Sequence, residues 1–244
     1  MRGAVKEQIV AEQGVTAQAL IEVRDVAVGY SRRRGLLRRD EKVWVFRDLS
    51  FDLLRGESLG VVGNNGVGKS TLLRLLAGII DPDQGSVVNH GAKAALMSLA
   101  GGFYPELNGV QNILLGGVLL GYTEQEVQAK LDTIIEFAEL ADDIHRPVNT
   151  YSAGMKARLS FARAAMLEAD VLLIDEVLSV GDKNFRGKCE EFMRQRIQSE
   201  QTLVYVSHNE KTVCELCNRA LWIDAGQARL LGPAEEVMEQ YLAA

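Results

Sequence analysis

With 244 residues, 47% of them hydrophobic and 25% charged, the chain can bury a sizeable core and has the composition of an ordinary globular protein. Its formal net charge of −6 is the wrong sign for a bulk nucleic-acid footprint, and no apolar run approaches the ~18 residues a membrane span needs. Three cysteines, Cys189, Cys214 and Cys217, are sparse and odd in number, which suits a reducing compartment and not a disulfide framework.

In chain order, residues 1–19 interleave charges and lack the apolar stretch of a secretory signal, so an N-terminal extension on a cytosolic chain is expected. Residues 20–244 read as the folded unit. "LIEVRDVAVGY" (20–30) alternates apolar and polar residues, as a half-buried antiparallel strand does. "WVFRDLSFDLLRGESLGVVG" (44–63) reads as two further strands, the second becoming fully buried. "KSTLLRLLAG" (69–78) predicts a helix with leucines at 72, 73, 75 and 76 and a stop at Gly78, and "PDQGSVV" a turn into a strand. Helical patterns fill about 105–167. Buried strands then alternate with helices: "VLLID", a helix over 184–199, "TLVYVSH", a helix over 210–217, and "ALWID". That alternation predicts parallel βαβ units. A hairpin at "DAGQ" and a helix from Pro233 complete the layout. "CELC" (214–217) falls in a helical segment with no second pair or His cluster, so helix packing is expected there and not zinc.

"GNNGVGKST" (63–71) fits G-x-x-x-x-G-K-[ST] between an apolar strand and an apolar helix, the context this motif requires. Gly63, Gly66 and Gly68 let the backbone turn its N–H groups inward toward phosphate oxygens, and the helix N-terminus adds a favourable field. Lys69 supplies a point charge for the β- and γ-phosphates, and the Ser70 hydroxyl a ligand for Mg2+. The whole loop, with Asn64, Asn65, Val67 and Thr71, is expected to hold ATP. "VLLIDE" has the form of a Walker B strand, expected beside the phosphate-loop strand. Its two acids have no packing use at the tip of a buried strand. Asp175 is expected to hold Mg2+, and Glu176 to serve as general base for the attacking water.

The order of these motifs resembles the nucleotide-binding subunit of ABC transporters, over nearly the whole chain from about residue 20. Tyr30 matches the aromatic A-loop position, "YSAGM" (151–155) the signature usually written LSGGQ, "SVGD" (179–182) the D-loop, and His208 in "VYVSHN" the switch histidine. The resemblance implies a P-loop NTPase with a RecA-like parallel-sheet core, an antiparallel β front subdomain and an inserted α-helical subdomain. It implies that Tyr30 stacks on adenine, and that His208 senses the γ-phosphate. It also implies that Ser152 and Gly154 receive the γ-phosphate held by a second copy, in a head-to-tail homodimer around two Mg-ATP. Tyr151, Ala153 and Met155 depart from the signature, and Met155 lacks the usual glutamine amide.

The family's glutamine after the front sheet is absent from "SLAGGFYPELNGVQNI" before Gln111. That loop, "YSAGM" and the Arg-rich "SRRRGLLRRDEKVWVFRDLSF" look like the branch exporting capsular polysaccharide, O-antigen and teichoic acid. The resemblance therefore implies an ATPase on the cytoplasmic face of the inner membrane, docked to a separate permease at the helical subdomain and the loop 98–104. The cluster Arg32, Arg33, Arg34, Arg38 and Arg39 is either a solvated loop or a contact for anionic lipid or a lipid-linked glycan. The sequence ends at Ala244, so the carbohydrate-binding domain some members carry is not expected within it. DNA-repair ATPases of the family need a long coiled coil between phosphate loop and signature, and ribosome-acting ones two nucleotide domains. Neither pattern occurs. A regulator without turnover would not need Glu176 and His208.

Overall fold

The computed structural model describes residues 18–32, 41–97, 102–175, 183–198, 201–207 and 209–244. Two long strands, β1 (Ala19–Arg32) and β2 (Glu41–Leu54), pair antiparallel, and β4 (Gln84–Asn89) pairs with the other edge of β1, giving a sheet ordered β2-β1-β4. Arg32 is thus the last residue of β1 and not part of a loop, while Arg33, Arg34, Arg38 and Arg39 lie outside the described residues.

A second sheet runs β5 (Ala94–Met97), β6 (Val171–Ile174), β7 (Thr202–Val206), β3 (Ser58–Val62), β8 (Arg219–Asp224) and β9 (Gln227–Pro233) in spatial order. The first five of these are parallel, and β9 closes the edge as the antiparallel arm of a hairpin. Its two turn residues, Ala225 and Gly226, both have positive φ (46° and 76°), the geometry that matches strand twist. Strands β3, β6 and β7 are buried at every position, which is why their sequences are almost wholly apolar, with only Ser58 and Thr202 polar at the first position of β3 and β7.

One expectation fails here. The VLLI strand β6 does not lie beside the phosphate-loop strand β3, because β7 pairs with both and separates them. Parallel neighbours are joined by long crossovers, so their order is set by packing across the sheet and not by chain order.

Helix α1 (Lys69–Leu76) is clamped between the two sheets: Leu72, Leu73, Leu75 and Leu76 join Val26, Phe46 and Leu49 on one side and Val61, Val204 and Leu221 on the other. The opposite face of the parallel sheet is covered by α5 (Lys183–Gln198), α6 (Glu210–Leu216) and α7 (Ala234–Leu242), through Phe185, Met193, Val213 and Val237. Cys189 and Cys217 are buried in that layer, where burial pushes the Cys217 thiol up to about 12 and leaves it inert.

The third core belongs to helices: α2 (Gly109–Leu119), α3 (Glu124–Ala138) and α4 (Ala153–Met166) pack Ile113, Val127, Leu131, Ile134 and Leu159 together. Capping boxes open α2 (Asn108 with Gln111) and α3 (Thr123 with Glu126), satisfying amide groups that would otherwise be orphaned. Among the described residues, no helix is long and apolar enough to cross a membrane.

Candidate nucleotide site

Strand β3 delivers the chain to Gly63, which turns at φ 151°. A β-carbon there would meet the Ile223 carbonyl oxygen at 2.3 Å. Gly68 caps α1 at φ 105°, and a β-carbon there would sit 2.2 Å from Val45 Cγ1. Both positions therefore need glycine for left-handed backbone and for close approach. Gly68 makes no side-chain cap hydrogen bond to α1, whose N-terminal turn is where backbone amides can receive an anion.

Lys69 is only 7% exposed, and its Nζ donates to the carbonyl oxygens of Gly63 (2.7 Å) and Asn64 (3.1 Å), holding the loop closed across its mouth. Next to it, Ser70 Oγ donates to Asp175 Oδ2 at 2.7 Å. Although β7 stands between their strands, the acid at the end of β6 and the first turn of α1 still converge. A hydroxyl and a carboxylate brought together beside a phosphate cradle form the hard oxygen set that Mg2+ prefers. Tyr30, 48% exposed near the end of β1, has its hydroxyl 3.4 Å from Thr71 Oγ1, so its ring stands beside the same helix start. Glu176, His208 and the segment 179–182 lie outside the described residues.

Ser152 is the N-cap of α4, with Oγ accepting from Met155 N at 3.2 Å, and the residue is exposed. Met155 packs against the helical core and offers no amide, in line with its departure from the signature. Tyr151, where the family has leucine, is buried and donates its hydroxyl to the Asp143 carbonyl oxygen at 2.8 Å. Gly109 makes room for that hydroxyl, since a β-carbon would lie 2.8 Å from it. Tyr151→Phe should cost about 1 kcal/mol, the net value of one such hydrogen bond. A urea melt with an unchanged midpoint would show that the hydroxyl does nothing there.

Two residues that no sequence pattern marks also shape the site's surroundings. Asn112 is buried; its side chain accepts from Tyr104 N (2.8 Å) and donates to the carbonyls of Tyr104, Leu107 and Asn108, so one amide fixes the segment 104–108. Arg163 reaches that segment from α4, donating to Asn112 O at 3.3 Å, with its guanidinium 5.2 Å from the Phe103 ring centre. Burial lowers its pKa to about 10, and its Nε has no hydrogen-bond partner among the described residues. Gly116 leaves the space it occupies. Their contacts span 4 to 51 residues of sequence, and a single polar position adds nothing to a helical period.

Comparison with known proteins decides the family. The pattern describing the ABC transporter family matches residues 46–179. The chain belongs to that family. Among ABC relatives, it is 42% identical over 214 residues to the O-antigen export system ATP-binding protein RfbB of Klebsiella pneumoniae, covering 88% of this chain and 87% of that one. It is 40% identical over 200 residues to the teichoic acids export ATP-binding protein TagH of Bacillus cereus, 82% of this chain but 36% of that longer protein. A solved ATP-binding cassette dimer in a post-hydrolysis state, bound to ADP and Pi, has the same fold, with a TM-score of 0.73 at 17% identity, covering 88% of this chain and 98% of that one. The chain is thus an ATP-binding ABC ATPase, with the mixed α/β fold expected from its motifs.

Proposed function

We propose that this ABC ATPase drives export of a lipid-linked polysaccharide of the O-antigen, capsule or teichoic acid type. It would work as a head-to-tail homodimer, peripheral on the cytoplasmic face of the inner membrane, through a separate permease. The observation that carries this reading is the 42% identity to an O-antigen export ATP-binding protein across nearly the full length of both chains.

In this reading the loop from Gly63 to Thr71 binds the phosphates and Tyr30 stacks on the adenine. Ser70 and Asp175, already 2.7 Å apart, would hold Mg2+, which supplies charge neutralisation on the phosphate oxygens. Lys69 neutralises the β- and γ-phosphates, Glu176 takes the proton of the attacking water, and His208 senses the γ-phosphate. Ser152 and Gly154, at the exposed start of α4, complete the site of the second copy, so that two ATP molecules are buried between two chains. Residues 1–17 lie outside the described residues and Ala19, expected in the N-terminal extension, already opens β1; about 105–167 is proposed as the helical subdomain inserted into the nucleotide-binding unit.

A groove between the end of α1 and the tip of α2, lined by Leu76, Ile80, Pro82, Val87, Leu119 and Leu120, supports permease docking at the helical subdomain. Ile79, Val118 and Leu119 expose apolar surface in the same two segments, with Leu119 68% exposed. The Arg32–Arg39 stretch is proposed to contact anionic lipid or the pyrophosphate of the glycan carrier. Arg→Ala changes there should impair export and spare ATP-dependent dimerisation; equal loss of both would remove that role.

The test of substrate class is Glu176→Gln in the native host, followed by extraction of lipid-linked glycans from both sides of the inner membrane. Accumulation of a long lipid-linked polysaccharide inside, with loss at the surface, is expected. Unchanged surface glycans would overturn the polysaccharide assignment and leave an ABC ATPase of another transporter.

A further inference from the structure

The adenine-stacking residue proposed above sits where its strand has lost half its support. Strand β1 is flanked by β2 on one edge and β4 on the other, but the β4 ladder ends at the Ala27–Gln84 pair. Beyond it, Gly29 and Tyr30 pair only with β2, opposite Trp44 and Val43, and the register shifts between Val28 and Gly29. An amide on an edge whose neighbouring strand has ended needs another acceptor.

Asp83, in the turn just before β4, supplies it. Gly29 N donates to Asp83 Oδ2 at 2.8 Å, where the next rung of the ladder would have been. The same carboxylate takes the Lys42 ammonium through Oδ1. Asp83 is itself anchored, its N–H donating to the Ala27 carbonyl at 2.9 Å. Lys42 stands on β2 beside Val43, the partner of Tyr30, and its stem crosses β1 at Gly29. A β-carbon on Gly29 would lie 3.1 and 3.2 Å from Lys42 Cγ and Cε and 3.0 Å from the Val43 carbonyl oxygen, so the glycine opens the path for the lysine. One carboxylate therefore ties together both strands of the hairpin end that carries Tyr30. Lys42 first, and then the Gly29 amide, hold the Asp83 carboxyl below the usual carboxylate range, so the carboxylate that accepts both is ionised near neutral pH.

We propose that Asp83 is a positioning residue for ATP binding: through Gly29 and Lys42 it fixes the end of β1 so that the Tyr30 ring is presented beside Thr71, ready for the base. This rests on the reading of Tyr30 as the adenine platform. Asp83 touches no nucleotide in this scheme. Its contribution is preorganisation, since a mobile Tyr30 must be ordered at the moment of binding.

The test compares ATP with inorganic tripolyphosphate, which fills the phosphate loop but has no base to stack. Binding of each is titrated on the full-length chain and on Tyr30→Ala, Asp83→Ala, Lys42→Met and the Tyr30→Ala/Asp83→Ala double variant. Tyr30→Ala should weaken ATP on the order of 10-fold, the size of one base–aromatic stack, and leave tripolyphosphate unchanged. Asp83→Ala should weaken ATP by about three- to fivefold, raise KM and leave kcat and tripolyphosphate binding unchanged, with Lys42→Met smaller in the same direction. In the Tyr30→Ala background Asp83→Ala should add nothing further, because the two act as one unit.

If Tyr30→Ala weakens ATP but Asp83→Ala and Lys42→Met do not, the positioning role is overturned while the platform reading stands. Equal weakening of ATP and tripolyphosphate by Asp83→Ala would also overturn it, since that marks general damage to the fold. If Tyr30→Ala binds ATP normally, the platform reading fails and the inference with it.

Discussion

Glu176→Gln should slow steady-state ATP hydrolysis by roughly 10²–10⁴-fold, the usual contribution of a general base, while ATP binding stays intact. Glutamine keeps the shape of the side chain and cannot accept the proton of the attacking water. The neighbouring Asp175 is fixed independently by Ser70 Oγ at 2.7 Å, so the change should not disturb the Mg2+ position proposed for that pair. With binding spared and turnover blocked, the closed dimer proposed above should accumulate. Phosphate release in a single turnover, together with the molecular mass of the ATP-bound form, reads both effects. Normal hydrolysis by the variant would move the base elsewhere.

Lys69→Ala should act at the earlier step, weakening ATP on the order of 10²–10³-fold. Truncating one partner of a largely desolvated, hydrogen-bonded charge pair typically costs about 2–5 kcal/mol. Lys69 is nearly buried and bridges the Gly63 and Asn64 carbonyls, so its ammonium is already stationed at the mouth of the loop before any phosphate arrives. The fold should survive, because α1 is held by its four leucines between two sheets and not by the lysine. Calorimetric titration with ATP beside a thermal melt separates the two contributions. An affinity within a few-fold of the unaltered protein would show that the backbone amides alone carry phosphate binding.

The features legible in the sequence are those whose physics is local. The phosphate loop is contiguous, its glycines are demanded by backbone angles at Gly63 and Gly68, and the buried strands show themselves as nearly continuous apolar runs. The hairpin at Ala225–Gly226 and the helices α2 to α4 follow from turn chemistry and periodicity in the same way. Strand β5 is not among the expected elements: at four residues, Ala94–Met97 is too short to display a period.

By itself the sequence determined the kind of molecule, an α/β nucleotide binder of the ABC family, because each motif carries its own backbone geometry within a few residues. Only the tertiary structure decided how those pieces meet. It placed β7 between β3 and β6, and still brought Asp175 to Ser70. It set Asp83 under Gly29, 54 residues away, and lodged Arg163 against Asn112, 51 residues away. Parallel strand order and buried polar contacts are fixed by which surfaces pack together after the chain has crossed the sheet. No short stretch of residues encodes that choice.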